Sequence, residues 1–468
     1  MHAVLLTTDT LFFVLLGAAL FYVLHARRHE HLRAPWRQVA RQPLGMAAAM
    51  VLCAYLLIAI LDSMHFRAAL PASAESGATY SRDLTSVFDV LVAPLRVNVE
   101  RTYSAPFAAE AYAKEIVELA DGSNARAYPR LEHGGAHLRD PASERGPDIA
   151  ARLIGGIALG SALAVIIGAA VVTVCARRAR TRWNATALRL LRGESVVPWR
   201  VIFGTVALLA LLLGCSIELA PYYHLFGTDQ VGNDVFYQAL KSIRTGLLIG
   251  TLTTLVMLPF AVALGLAAGY FGGWVDDVIQ YLYTTLSSIP GVLLVAAAAL
   301  MLEVYMSRHG DSYASLAARA DLRLLALCLI LGVTAWTGLC RYLRGEALKL
   351  RAVDFIEAAR AFGVSDAKIL ARHILPNIMH IVMISIALDF SGLVLAEAVL
   401  TYIDIGVDPS MESWGNMING ARLELAREPV VWWSLSAAFV LMFVLVLAAN
   451  IFADAVRDAF DPRLRDMQ

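Results

Sequence analysis

Nine apolar runs of about twenty residues divide this sequence, and they constrain its fold more than any other feature. The runs cover approximately residues 9–26, 43–62, 151–175, 201–220, 245–270, 283–304, 322–340, 378–402 and 432–455. A helix of about 20 apolar residues crosses the hydrocarbon core of a bilayer. Within lipid, a run of this length satisfies its backbone hydrogen bonds by forming a helix. The sequence therefore predicts an all-α, polytopic helical membrane protein with about nine transmembrane helices.

The amount and the distribution of charge agree with this fold class. Only 17% of the residues are charged, whereas about 25% is usual in soluble domains. Arginine is concentrated in three loops, residues 27–42, 177–200 and 341–372, which are separated by even numbers of predicted spans. Because basic residues are enriched on the cytoplasmic side of membranes, all three loops are predicted to be cytoplasmic. The protein is then a multi-pass protein of the bacterial inner membrane, with its N-terminus outside and its C-terminus in the cytoplasm.

A polar island at residues 351–377 stands between the seventh and eighth apolar runs. A first short helix is predicted to end at Gly363, because glycine tolerates the left-handed conformation of a helix C-terminus. A second helix is predicted to begin after Ser365, a residue type that caps helices, and to end at Pro376, which interrupts helical hydrogen bonding. The two helices form an elbow with a small, alanine-rich surface that another protein can approach closely.

The elbow carries the pattern Glu-Ala-Ala, three residues, Gly, ten residues and Ile-Leu-Pro. This pattern resembles the EAA motif of permeases of ATP-binding-cassette importers. In that family, the elbow docks into a groove on a separate ATPase subunit. The resemblance therefore implies a role in ATPase coupling for seven residues, which are Glu357, Ala358, Ala359, Gly363, Ile374, Leu375 and Pro376.

Five further segments resemble the C-type permease subunits of dipeptide, oligopeptide and nickel importers, and they occur in the family's order. These segments are Gly227–Val235, Gly269–Asp276, Ser288–Pro290, Glu397–Met417 and Asn450–Arg463. Asn233 departs from the family pattern, in which arginine is usual. The resemblance covers about residues 221–465, and it implies that this half of the chain is the core of an importer permease.

The resemblance leaves residues 1–200 unexplained, and no motif identifies their role. We therefore divide the chain into an N-terminal membrane extension of three spans, residues 1–200, and a permease core, residues 201–468. The extension contains a predicted external domain at about residues 63–150, and the core contains the cytoplasmic coupling loop at about residues 341–377. Within the external domain, residues 112–119 are predicted to form a short amphipathic helix.

The sequence gives no indication of a cofactor, a metal ion or an ATPase site in this chain. None of its four lysines follows a glycine, so a Gly-Lys-Ser/Thr phosphate loop is absent. The five cysteines lie in or beside apolar runs, which is typical of small buried hydrophobic residues. His133 and His137 are four residues apart, but Gly134 and Gly135 between them make a helix unfavourable, and no third ligand is evident. We therefore interpret them as solvated loop residues.

Two carboxylates fall within the eighth apolar run. A charge at this depth costs several kcal/mol, on the order of 3, unless it is paired or hydrated, so such side chains face a helix bundle or a pathway. For Glu397, which the resembling family also carries, we favour a structural hydrogen bond. For Asp389 a position on the solute pathway and a structural role remain equally plausible.

These features predict a membrane-spanning permease subunit of an ATP-driven importer, which is not itself an enzyme. The resemblance implies a second permease subunit in a heterodimer, two ATPase subunits and a periplasmic solute-binding protein as partners, and it implies no nucleic acid. The implied solute is a peptide, with nickel or opine-like solutes left open. Two alternatives are an ion-coupled carrier that works alone and a membrane-embedded enzyme, although no catalytic Ser/His/Asp set or His-Glu-x-x-His motif is present.

Overall fold

The computed structural model describes residues 2–67, 81, 84–118, 124–309 and 315–460. Helices dominate these residues, in agreement with the predicted all-α fold class. In chain order the helices are α1 (Thr7–Ala26), α2 (Glu30–Val39), α3 (Pro43–Ser63), α4 (Val87–Leu91), α5 (Ala93–Val97), α6 (Pro141–Ala179), α7 (Trp183–Arg192), α8 (Trp199–Leu219), α9 (Val235–Phe271), α10 (Gly273–Ser288), α11 (Gly291–Arg308), α12 (Leu316–Ala335), α13 (Thr337–Arg351), α14 (Asp354–Ala361), α15 (Asp366–Ile369), α16 (Leu375–Tyr402), α17 (Trp414–Glu424) and α18 (Trp433–Phe460).

Nine stretches of the described chain are long and apolar enough to cross a membrane, which confirms the predicted number. The predicted sixth run, residues 283–304, is not one helix, because α10 ends at Ser288 and α11 begins at Gly291. Pro290 explains the break, since a residue before proline avoids the helical conformation and Ile289 is extended. The predicted closing motif at Asp461–Arg463 lies outside the described residues.

The strands of the described chain are short and lie outside the spans. They are β1 (His2–Val4), β2 (His65–Arg67), β3 (Thr85–Ser86), β4 (Glu115–Glu118) and β5 (Asn124–Ala127). Strands β1, β2 and β3 form an antiparallel sheet, with Phe66 opposite both Ala3 and Thr85. Strands β4 and β5 form an antiparallel pair. The predicted helix over residues 112–119 is therefore wrong, because the β-branched Ile116 and Val117 favour a strand.

The described residues form two compact units. Unit 1 falls within residues 1–4, 37–245 and 412–448, and unit 2 falls within residues 5–36, 246–411 and 449–468. Helices α9 and α18 each pass from one unit to the other. The predicted boundary at residue 200 is based on which residues resemble the family's sequence pattern. This boundary stays a prediction.

Unit 1 is built around a close contact between α6 and α8. Gly156 and Gly160 of α6 are four residues apart, so they lie on one face of the helix. A Cβ atom at Gly160 would lie only 2.6 Å from the Ala210 carbonyl oxygen, and one at Gly214 of α8 would lie 2.4 Å from the Gly156 carbonyl oxygen. These glycines let the two backbones touch, which is how small residues hold membrane helices together.

Unit 2 contains a core in which α9, α10 and α13 pack against the elbow. Gly269 of α9 permits a similarly close approach, because a Cβ atom there would lie 2.5 Å from Ala347 Cβ on α13. Asp276 of α10 accepts two hydrogen bonds from the Arg344 guanidinium of α13, at 2.5 and 2.7 Å. The bonds from Arg344 hold the pKa of Asp276 below its usual range. These contacts fix the helices that support the elbow.

Candidate functional site

The elbow turns at Gly363, where the sequence predicts the end of its first helix. Gly363 has a φ of +76°. Its N–H donates to the Arg360 carbonyl at 3.0 Å, and the Val364 N–H donates to the Ala359 carbonyl at 3.1 Å. This pair of bonds is the Schellman arrangement, which satisfies the last carbonyls of a helix when the next residue is left-handed. The prediction that the first helix ends at Gly363 is therefore confirmed.

The elbow has one buried face and one exposed face. Ile356, Ile369 and Ile374 are buried in the core of unit 2 beside α9 and α13, and Ala359 is half-buried against the same core. On the opposite face, Glu357, Ala358 and Gly363 are exposed, as is Pro376, while Leu375 is half-buried. The seven predicted coupling residues are thus divided between a supporting core and an accessible surface.

Phe362, which precedes the turn, is 86% exposed. It caps the end of α14, and its N–H donates to the Ala358 carbonyl. Burying a phenylalanine side chain stabilises a contact by roughly 1.5–3 kcal/mol, so this ring would add about that much to a contact with a partner. The accessible surface of the elbow therefore consists of a protruding aromatic ring beside a small, open glycine.

Tyr270 anchors the elbow to the end of α9. Its hydroxyl donates to Asp366 Oδ1 at 2.6 Å, and the Arg360 guanidinium lies 5.2 Å from the centre of its ring. One side chain therefore contacts both arms of the elbow, one on each side of Gly363. This arrangement makes the turn a rigid extension of the helices below it.

The prediction that the second helix ends at Pro376 is wrong. Residues Leu370–Ile374 form a π turn, and α16 continues from Leu375 without a break, with Pro376 in its first turn. A π turn shifts the hydrogen bonding by one residue, so the missing N–H and the ring of a proline are accommodated there. The second arm of the elbow is therefore continuous with a membrane span.

The two carboxylates of α16 have different surroundings. Glu397 is fully buried and accepts a hydrogen bond from Thr401 Oγ1 at 2.8 Å, consistent with the structural role that we favour. Asp389 is half-buried, and its side chain has no hydrogen bond or ion pair with any residue that the structure describes. The carboxylate of Asp389 is thus available to a group from outside this chain.

A second site lies in unit 1, at the loop Gly227–Val235 that resembles the family. His224, just before this loop, lies between two carboxylates, with its Nδ1 2.7 Å from Asp234 Oδ2 and its Nε2 3.3 Å from Glu100 Oε1. All three side chains are buried. Burial alone would lower the pKa of His224, but the hydrogen bonds to Asp234 and Glu100 outweigh it and raise the pKa to about 9. We call these three residues the buried ion cluster.

Glu100 belongs to the N-terminal extension, and it makes three more bonds there. Its carboxylate accepts the backbone N–H groups of Glu132, His133 and Gly134 at 2.8 to 2.9 Å. Burial would raise the pKa of Glu100, but the bonds from His224 and from the backbone lower it to about 2. A carboxylate with this many donors is held as an anion. Glu100 therefore joins an extension loop to His224.

The backbone of the extension also contacts this loop directly. The Glu100 N–H donates to the Gly232 carbonyl at 2.9 Å, and Thr228 Oγ1 accepts the Ser104 N–H at 2.7 Å. Trp433 Nε1 donates to the Thr228 carbonyl at 2.9 Å. Gly232 has a φ of +85°, and a Cβ atom there would lie 1.8 Å from the Glu100 carbonyl oxygen. The extension is therefore fitted closely to the loop.

Of the two histidines that we interpreted as solvated, His137 is exposed and His133 is half-buried. His137 Nε2 lies 2.8 Å from Asp148 Oδ2 on α6, and His133 Nδ1 is buried without a hydrogen-bond partner. Among the residues that the structure describes, no group of three or more His, Cys, Asp or Glu side chains is arranged to hold a metal ion. The contact of His137 is thus an ordinary hydrogen bond or ion pair between a loop and α6.

Comparison with known proteins shows the family. Residues 261–466 match the family described as binding-protein-dependent transport system inner membrane component. The glutathione transport system permease protein GsiD of Pectobacterium atrosepticum is 32% identical, and the match covers 52% of this chain and 73% of GsiD. The oligopeptide transport system permease protein OppC of Mycobacterium bovis is 31% identical, with 52% and 78% covered. The chain belongs to this family.

The match covers only part of this chain and only part of each relative. The dipeptide transport system permease protein DppC of Lactococcus lactis subsp. cremoris is 31% identical to this chain, and the match covers 51% of this chain and 64% of DppC. The family region contains the whole elbow and Asp389, whereas Glu100 and His224 precede it. The elbow is thus a feature of the family region, whereas all three residues of the buried ion cluster precede that region.

Sequence analysis missed three of the residues that define these sites, namely Phe362, Glu100 and His224. Phe362 stands directly before Gly363, and an apolar residue at the tip of a polar loop is a signal that could have identified it. Glu100 carries no comparable signal, because it is one acidic residue in a polar segment and its partner His224 is 124 positions away. Only the folded structure brings the two together.

Proposed function

We propose that this chain is one of two membrane-spanning permease subunits of an ATP-driven importer, and that its elbow docks on an ATPase subunit. The observation that carries the proposal is the exposed ring of Phe362 on a turn anchored by Tyr270. The partners would be a second permease, two ATPase subunits and a periplasmic solute-binding protein. ATP hydrolysis would take place on the ATPase subunits, and this chain would transmit their movement.

Each group of elbow residues has a distinct proposed role. Phe362 inserts into the groove of the ATPase, and Gly363 sets the angle at which it does so. Glu357, Ala358 and the half-buried Ala359 form the small surface beside it. Ile374, Leu375 and Pro376 connect the elbow to α16, with Ile374 buried in the core. A push on Phe362 would therefore reach α9, α13 and α16 as a rigid-body movement.

The solute is proposed to be a peptide. The similar proteins are named as transport system permeases for dipeptides, oligopeptides and glutathione, all of which contain peptide bonds. A test is to purify the chain with its partners, reconstitute the complex in vesicles and measure peptide uptake and peptide-stimulated ATP hydrolysis. Uptake that depends on ATP and on the binding protein supports the proposal, whereas uptake by this chain alone indicates an ion-coupled carrier.

We propose an orientation with the N-terminus outside and the C-terminus in the cytoplasm, because arginine is concentrated in the loops on that side. In a cysteine-free background, Arg126→Cys in the external segment should react with an impermeant thiol reagent added to intact cells. Glu194→Cys, between α7 and α8, should react only after the membrane is opened. Both positions are exposed, so a difference in their labelling would not result from burial within the protein. Reversed labelling would overturn this orientation.

Asp389 is proposed to face the solute pathway. We expect Asp389→Asn to reduce uptake about tenfold or more while it leaves the melting temperature and ATPase association unchanged, because the carboxylate supports no internal bond. Glu397→Ala in the same helix is the control. It should lower stability by about 1–3 kcal/mol, because it leaves the buried Thr401 hydroxyl without its acceptor. Normal uptake by Asp389→Asn would assign Asp389 a structural role.

A further inference from the structure

The segment between α6 and α8 exposes an unusual concentration of positive charge. We call residues 177–200 the arginine-rich linker, and its arginines are Arg177, Arg178, Arg180, Arg182, Arg189, Arg192 and Arg200. All seven are exposed, and the linker contains one acidic residue, Glu194. None of the seven forms an ion pair with any part of the chain that the structure describes. Their charges are therefore left for a partner of opposite sign.

The linker is held at the end of two membrane spans. It leaves α6 through Arg180, which has a left-handed backbone with a φ of +51°, and it enters α8 at Trp199. Both α6 and α8 are long and apolar enough to cross a membrane. A connection this short between two adjacent spans has to lie at one surface of the bilayer.

Helix α7 folds back toward the membrane. Trp183, its first residue, donates from Nε1 to Thr173 Oγ1 at 3.2 Å. Thr173 lies six residues before the end of α6, which places it about 9 Å along the helix from that end. The indole of Trp183 thus lies beside α6, about two turns before that helix ends. Tryptophan is enriched at this depth of membrane proteins, where its ring is apolar and its N–H needs a partner.

The exposed surface of α7 combines apolar and basic side chains. Thr186 and Leu190 are buried against the protein, whereas Trp183, Leu188 and Leu191 are exposed. Arginines lie among these exposed apolar residues. A helix of this kind lies in the plane of the membrane surface, with its apolar side chains in the boundary of the acyl chains and its arginines at the headgroups.

We propose that the arginine-rich linker binds the phosphate groups of anionic phospholipids. The planar guanidinium group donates two parallel hydrogen bonds to phosphate oxygens, which a compact ammonium group does not match. The chain has only four lysines, and none of them is in the linker. The Arg200 guanidinium donates from Nε to the Leu191 carbonyl at 2.5 Å, but none of the seven arginines forms an ion pair within the described residues, so their charges are available for the lipid. This site would hold the extension at the membrane surface, independently of the elbow.

The test uses the purified full-length chain in a neutral detergent, with its partners wherever they co-purify. We expect added phosphatidylglycerol to raise the melting temperature by several degrees and phosphatidylcholine to have little effect. Arg182→Gln, Arg189→Gln and Arg192→Gln together should remove at least half of the shift. The matched control combines Arg126→Gln, Arg139→Gln and Arg145→Gln, which also neutralises three exposed arginines, and it should keep the shift.

Arg182→Lys, Arg189→Lys and Arg192→Lys together separate charge from folding, and this variant should recover part but not all of the shift, because lysine keeps the charge and lacks the two parallel hydrogen bonds. An equal response to both lipids, or an unchanged phosphatidylglycerol shift in the glutamine variant, would overturn the proposal. The proposal also fails if the glutamine variant keeps the lipid response but loses a co-purifying subunit. In that case the linker is a protein-binding surface.

Discussion

Gly363→Val is expected to abolish coupled transport while the protein still inserts into the membrane. A left-handed backbone costs a residue with a side chain about 1–2 kcal/mol, and the φ of +76° at Gly363 lies in that region. Nothing lies within 4 Å of a Cβ atom there, so the cost comes from the backbone and not from a clash. The turn relaxes toward another conformation, and Phe362 moves away from the position that fits the ATPase. Uptake and ATPase association in reconstituted vesicles should both fall by more than tenfold.

Gly345→Val is the matched control for this variant. Gly345 lies in α13, below the elbow, and it also has open space around a Cβ atom, but its φ is not positive. Valine has a higher helix propensity than glycine, so this control should retain its stability and its transport. If both variants transport equally well, the geometry of the turn at Gly363 is not required for coupling.

Glu100→Ala is expected to cause the largest loss of stability of any single substitution proposed here. The change leaves the buried imidazolium of His224 with one carboxylate instead of two, and it leaves three backbone N–H groups without their acceptor. Removing one partner of a buried ion pair costs about 3–5 kcal/mol, because the remaining charge stays buried. The melting temperature of the protein, followed by tryptophan fluorescence, should fall by on the order of 10 °C.

Glu132→Ala is the matched control, since the exposed Glu132 side chain pairs with the exposed Arg101 at 2.8 Å. Exposed pairs contribute about 0–1 kcal/mol, so this variant should melt within about two degrees of the wild type. Similar melting temperatures for Glu100→Ala and Glu132→Ala would show that the buried ion cluster does not stabilise the extension.

The stabilisation by the buried ion cluster should also depend on pH in a defined way. The pKa of His224 is raised from 6.5 to about 9, so its contribution is complete below pH 6.5 and is lost as the pH rises through 9. The pKa of Glu100 is lowered from 4.5 to about 2, so its contribution is complete above pH 4.5 and is lost as the pH falls through 2. The melting difference between wild type and Glu100→Ala should therefore be largest between pH 4.5 and 6.5.

Local sequence signals predicted the features that depend on a few neighbouring residues. Each apolar run determines a span by its own length, and Gly363 determines a helix end because only glycine adopts a left-handed backbone without strain. The break at Pro290 has an equally local cause, although it divides a run that we predicted as one helix. These features require no knowledge of what packs around them.

The features that the sequence did not reveal depend on distant contacts. Pro376 is the type of residue that ends a helix, yet the buried Ile374 keeps the adjacent π turn in the core of unit 2, and the helix continues. Glu100 and His224 meet across 124 positions, and no pattern in either segment specifies the other. The sequence pattern of residues 112–119 is compatible with either a helix or a strand. Glu115–Glu118 form a strand because they pair with β5.

Site-specific photo-crosslinking shows whether Phe362 at the elbow touches an ATPase subunit. A photoreactive phenylalanine derivative is placed at position 362, and another is placed at position 128, where Tyr128 is exposed in the external segment. The proposal predicts that illumination of the assembled transporter links position 362, but not position 128, to a subunit that carries a Walker motif. The absence of that product from position 362, in a complex that still hydrolyses ATP in response to solute, would contradict the claim.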